Sequence, residues 1–156
     1  MKNITIAFKK IREDSDLISK IIGWKQGTKY SHVEIGFEVK PSVYNSLVAL
    51  PVDSGIYLEE KMYFHDKWDT MQLEVTDKQY ALAMHIVDGY VGKRYDKLGI
   101  AGFVLPVRDE EGAWFCSEAV ANVLKCLGHK DMFYVEPSRV GIKRLLEILD
   151  FENNKK

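Results

Sequence analysis

The sequence predicts an α+β fold, a small and mostly antiparallel sheet packed with helices. Three observations carry it. SHVEIGFEV alternates strictly, with Val33, Ile35, Phe37 and Val39 on one face and His32, Glu34, Gly36 and Glu38 on the other, the period of a half-buried strand. Other strand-like segments follow, separated by short turn signals. Beyond residue 76 the apolar residues instead recur at helical spacing. At 156 residues, 46% hydrophobic and 29% charged, the chain suits one domain over 1–150, with 151–156 as a frayed tail.

ITIAF at 4–8 is the first strand, and Asp14-Ser15-Asp16 announces a short helix carrying Leu17, Ile18, Ile21 and Ile22. A glycine-punctuated loop from Gly23 to Thr28 leads to the alternating strand. SLVAL, GIYLEE and TMQLEV are further strands, parted by Pro51, the Asp53-Ser54-Gly55 turn and the aromatic loop YFHDKWD. Thr76 with Gln79 forms a capping box, and Tyr80, Ala83, Met84, Val87 and Val91 line the next helix, which ends near Gly92. RYDKLGIAGFVLPVRDEEGAW has no sustained period and reads as a packed connection. The segment from Cys116 carries Val120, Val123, Leu124 and Leu127 on one face and closes at Gly128. After Pro137-Ser138, Ile142, Leu145, Leu146 and Leu149 mark a last amphipathic helix.

Lys and Arg total 22 against 23 for Asp and Glu, so no basic excess favours nucleic acid or an anionic membrane. The start, MKNITIAFKKIRED, has no apolar stretch long enough for a secretory signal, and no segment approaches the roughly 20 apolar residues of a membrane span. The expected location is the cytoplasm and the expected partner a small amide, ester or peptide. Cys116 and Cys126 on one helix project from different turns and cannot pair, so both are expected as free thiols. The histidines and cysteines lack the close paired spacings of a zinc site, and no cofactor is implied.

Cys116 has two readings. On the face of Val120 and Val123 it is a small core residue; in the first turn of a helix, free N–H groups and the dipole favour its nucleophilic thiolate. Ser117 suits a helix start, whereas the charge of Glu118 opposes a lowered thiol pKa. A nucleophilic thiol needs a base, usually histidine. His85 falls off its apolar stripe, His129 follows the glycine cap, and His65 lies in a loop. His32 opens a strand on its polar face, with the small Gly36 four residues on leaving room for a ligand; it can equally be a surface histidine bonded to a neighbouring strand.

YSHVEIGF, GKRYDKLGIAGFVLP, WFCSEAV and PSRVGIKRLLEIL, in that order, resemble the permuted papain-like hydrolases of the YiiX type, especially the short versions in phage and bacterial genomes. These are relatives of the NlpC-type cell-wall peptidases and of lecithin:retinol acyltransferase. The likeness runs from residue 30 to about 149. It implies a permuted papain-like fold, histidine first and cysteine last, with the cysteine at a helix N-terminus. It also implies that Cys116 is the nucleophile of an amidase, peptidase, esterase or acyltransferase, with His32 as its base and an acyl-enzyme intermediate. Tyr95 would supply a hydroxyl near the oxyanion or the substrate, Trp114 and Phe115 would wall the cleft, and Tyr30 would contact substrate.

One part of that pattern is missing. Related enzymes carry the group that orients the imidazole on a neighbouring strand, where this chain reads SLVALP, and Val48 and Ala49 cannot do that work. Glu34, two residues along the face of His32, is the first candidate, followed by Asn45, Ser46 and Asp53. The alternative to an enzyme is a binding module on the same scaffold that holds a ligand without turning it over.

Overall fold

The computed structural model describes residues 1–50, 55–93 and 116–154. Among them, β1 (Lys2–Lys10), β2 (Tyr30–Lys40), β3 (Val43–Leu50), β4 (Gly55–Lys61) and β5 (Trp68–Val75) form one sheet in the order β4-β3-β2-β1-β5. Every ladder is antiparallel. Helix α1 (Leu17–Gln26) links β1 to β2, α2 (Asp77–Asp88) follows β5, and α3 (Cys116–Cys126) leads through 3-10 turns at Lys130–Met132 and Pro137–Arg139 to α4 (Ile142–Ile148) and α5 (Phe151–Asn154). The α+β class expected from periodicity is the class found.

The core forms where alternation and helical spacing meet. Ile4, Ile6 and Phe8 of β1 and Val33, Ile35 and Phe37 of β2 join Val120, Val123 and Leu124 of α3, Ala83 and Val87 of α2, and Ile142 and Leu145 of α4 in one buried cluster. Removing each such side chain from water contributes about 1.5–3 kcal/mol, and the sum holds α3 against the middle of the sheet. The capping box of α2 is present, with the Thr76 hydroxyl accepting from the Gln79 N–H and the Gln79 side chain accepting from the Thr76 N–H. No helix among the described residues is long and apolar enough to cross a membrane.

Several boundaries differ from the sequence expectations. Gly23 does not open a loop: α1 runs through it to Gln26 and closes at Gly27, whose φ of 62° is the left-handed conformation glycine favours. Gly23 is instead a point of close approach, where a Cβ would lie 2.0 Å from Ile11 Cδ1 and 2.8 Å from the Thr28 carbonyl oxygen. Helix α2 stops at Asp88, short of Gly92, and it buries Ala83 and Val87 while Met84 and Val91 are exposed. The tail begins later than residue 151, because Phe151 is buried edge-on against Phe8. Most consequential, both faces of β2 are buried from Tyr30 to Phe37, so the row of His32 and Glu34 is interior.

Candidate active site

β2 sets His32 and Glu34 two residues apart on one face, and the first residue of α3 brings Cys116 to them. The β2–β3 ladder reaches Ile35 opposite Leu47, and β2 continues past it to Tyr30. There the Cys116 thiol lies beside the His32 imidazole and the backbone N–H groups of Val33 and Ser117, near enough for all three to act on its charge. Sheet and helix packing thereby join two residues far apart in the chain.

Glu34 Oε1 lies 3.2 Å from His32 Nε2, which leaves Nδ1 as the ring nitrogen available to the thiol. The carboxylate is itself held on several sides. Lys61 Nζ donates to Oε1 at 2.9 Å, the Ser46 hydroxyl donates to Oε2 at 2.8 Å, and the Tyr63 hydroxyl donates to Oε2 at 3.3 Å. The Ser46 and Tyr63 hydroxyls also meet, so one of the two shares its proton between the carboxylate and the other hydroxyl. A carboxylate that is only 2% exposed is thus fully partnered, which a buried charge requires.

The site is roofed by aromatic rings. Trp68 presents to His32 at a centroid separation of 6.2 Å, Tyr63 packs on Trp68 at 5.1 Å, and Lys61 Nζ lies 5.5 Å from the Trp68 ring centroid. Gly36 makes this possible: a Cβ there would meet the Tyr63 hydroxyl at 3.0 Å and Tyr44 Cβ at 3.2 Å. The space above Gly36, expected from the sequence to admit a ligand, is filled by these two tyrosines.

Charge follows from this geometry. Burial raises the Cys116 pKa, but the His32 charge, its hydrogen bond and the two backbone N–H groups outweigh that and bring the thiol below its ordinary value. For His32, burial favours the neutral ring, yet Cys116 and then Glu34 overcome it and push the pKa up to about 9. Burial likewise works against the Glu34 carboxylate, and His32 and Lys61 reverse it to about 2. All three shifts favour a thiolate beside an imidazolium, backed by a carboxylate.

The sequence-expected residues divide clearly. Cys116, His32 and Glu34 come together, and Ser46 joins them through Glu34. Asn45 pairs with Phe37 and so takes the opposite face of the sheet from Ser46. Tyr95, Trp114, Phe115 and Asp53 lie outside the described residues. Tyr30, expected at the substrate, is 1% exposed, its ring packs against Phe8 and Phe151, and its hydroxyl donates to Asp69 Oδ2 at 2.7 Å, so it stands in the core. A bulge sets this orientation. Lys9 opposes His32 whereas Lys10 opposes Tyr30, and the extra residue, Ser31, turns Tyr30 off the His32 face. Sequence reasoning missed Lys61, Tyr63 and Trp68. Lys61 ends an ordinary amphipathic strand, and only the aromatic density of YFHDKWD distinguished the segment that follows it.

His65 and His85 are exposed and His129 lies beyond the C-terminal end of α3, which leaves His32 as the histidine at the thiol. The two cysteines occupy opposite ends of α3, about 15 Å apart along its axis, Cys116 buried and Cys126 exposed, both as free thiols. No protein-family model matches the chain, and no curated protein matches it.

Proposed function

We propose that the protein is a cysteine hydrolase acting on an amide or ester through a Cys116–His32–Glu34 arrangement. One observation carries this reading: a buried thiol, an imidazole and a carboxylate follow one another from helix to strand, the imidazole bonded to the carboxylate, with the thiol pKa lowered and the imidazole pKa raised. A structural cysteine has no use for a charged partner that costs desolvation, whereas a nucleophile does.

In this mechanism the Cys116 thiolate attacks the substrate carbonyl. The N–H of Cys116, at the first residue of α3, is one donor to the developing oxyanion. The imidazolium of His32 gives its proton to the leaving amine or alcohol as the carbon–heteroatom bond breaks, leaving a thioester on Cys116. Neutral His32 then takes a proton from water as the hydroxide oxygen adds to the thioester; collapse releases the acid and restores the ion pair. Glu34 fixes the ring and stabilises its charged form. The fold this implies is the permuted papain-like arrangement that the sequence resembles, and Tyr95 and Trp114 are its proposed substrate contacts.

Limiting iodoacetamide across pH, with the adducts located by peptide mapping, tests the proposal. Cys116 is expected to alkylate ahead of Cys126 below neutral pH despite being the buried thiol, and His32→Ala is expected to abolish that preference. Slow labelling of Cys116 with the pH dependence of an ordinary thiol would refute the nucleophile and leave the binding-module reading. Turnover of a panel of fluorogenic esters and peptides, with Cys116→Ala as the blank, then reports the substrate.

A further inference from the structure

Helix α1 leaves much of its apolar surface in solvent. Leu17, Ile21 and Trp24 fall at i, i+4 and i+7 on one side, yet Leu17 is 72% and Trp24 77% exposed, with Ile18 at 57% beside them. The side turned to the protein carries Ser19, Ile22, Gly23 and Gln26; Gly23 is buried, Ile22 packs against the core, and Gln26 Oε1 accepts from the N–H of Ile142. The outward stripe is therefore exposed hydrophobic surface in aqueous solution.

The surroundings of the stripe say what covers it. Residues 9–29 hold six cations and three carboxylates in a chain whose net charge is −1. Lys20 and Lys25 flank the stripe on α1, and at its N-terminal end a cleft of about 350 Å³ is lined by Lys9, Lys10, Arg12 and Lys67. Of the acidic groups on that cleft, Asp14 is paired with Arg12, and Asp16 caps the helix by accepting from the Ser19 N–H; Arg12 also pairs with Asp66 and Lys10 with Asp69, so the charge offered to a headgroup rests chiefly on Lys9 and Lys67. An exposed tryptophan and leucine set among lysines match the boundary between phosphate headgroups and acyl chains, where an indole ring prefers to lie and where lysine stems reach outward to anions.

We propose that α1 is a membrane-docking helix. It lies in the plane of an anionic phospholipid surface with Leu17, Ile18 and Trp24 in the acyl boundary, and the cation-lined cleft receives headgroup phosphates. The surface adjoins the catalytic residues, because Lys9 of that cleft is the cross-strand neighbour of both His32 and Trp68. Docking there would set the mouth of the site toward the bilayer. The inference stands on exposure and charge and holds whether or not Cys116 turns over a substrate.

Co-sedimentation with vesicles of phosphatidylcholine alone, or of equimolar phosphatidylglycerol and phosphatidylcholine, tests it. The protein is expected to pellet with the anionic vesicles, to release in high salt, and to show a blue-shifted emission component that Trp24→Phe removes. The Leu17→Ser/Trp24→Ser pair, exposed and so neutral to folding, is expected to weaken vesicle binding about tenfold or more; Lys9→Glu/Lys67→Glu should weaken it on anionic vesicles. Inorganic phosphate at matched ionic strength should not compete the protein off. Failure to pellet, or binding indifferent to Leu17 and Trp24, overturns the proposal. So does a concentration-dependent dimer in sedimentation velocity that the serine pair dissolves, since a second copy would then be the occupant.

Discussion

At the scale of single residues, Glu34 controls the charge on His32, and its removal separates orientation from nucleophilicity. The carboxylate raises the imidazole pKa, so Glu34→Gln lowers it. In the wild type the rate should climb as Cys116 ionises, below its ordinary thiol value, and fall as His32 loses its proton at about 9. In Glu34→Gln the alkaline limb is expected to move down by about one pH unit, with kcat reduced about a hundredfold. A pH–rate profile checks both, and an unmoved alkaline limb would remove Glu34 from the mechanism. The same carboxylate makes an acid-stability prediction. Its folded pKa of about 2 lies below the ordinary 4.5, so its stabilising contribution is complete above pH 4.5 and disappears as pH falls toward 2. Thermal unfolding followed from pH 6 to pH 2 should therefore show a steeper loss in the wild type than in Glu34→Gln. Cys116, His32 and Glu34 were legible as candidates from helix start and strand alternation. The burial of His32 and Glu34 was not, because it depends on Lys61, Tyr63 and Trp68 folding back over the polar face.

Among the elements, α1 shows why a local rule can mislead. Propensity alone makes Gly23→Ala stabilising by about 1 kcal/mol inside a helix. The packing says the reverse. Ile11 can rotate away from the new Cβ, but the Thr28 carbonyl, 2.8 Å off, is backbone, and moving it would open the α1–β2 connection that the Thr28 N–H closes by donating to the Gly23 carbonyl. The variant is expected to be destabilised by about 1–3 kcal/mol in urea unfolding, and Ile11→Val in the same chain should recover only part of that loss. A glycine that reads as a loop signal in sequence is here the reason a helix can lie close to its neighbours. The same limit applied to β2, where period-2 alternation gave the facing of Val33 through Phe37 but the bulge at Ser31 reversed Tyr30. A single inserted residue leaves no mark on hydrophobic pattern, because tyrosine suits either face.

For the whole molecule, the sheet class followed from alternation and turns, since those patterns are set residue by residue. The strand order β4-β3-β2-β1-β5 did not, because it depends on which edges find partners after collapse. The C-terminal turn illustrates the point. Phe151 follows a short helix and precedes a polar run, so the sequence gives no reason to bury it, yet it meets Phe8 at 4.6 Å and Tyr30 at 5.9 Å between ring centroids. Phe8 pairs with Val33, whose backbone N–H helps to lower the Cys116 pKa. The aromatic trio thus anchors the end of the chain to the segment of β2 that carries the nucleophile's neighbours. Phe151→Ala should cost about 3–5 kcal/mol in chemical denaturation, while Phe151→Leu, which keeps most of the volume, should cost much less. If the anchor matters to the site, the alanine variant should also lose the low-pH alkylation preference of Cys116 under conditions where circular dichroism shows it still folded. Retention of that preference would mean that β2 holds its geometry at Val33 through the β1 ladder alone.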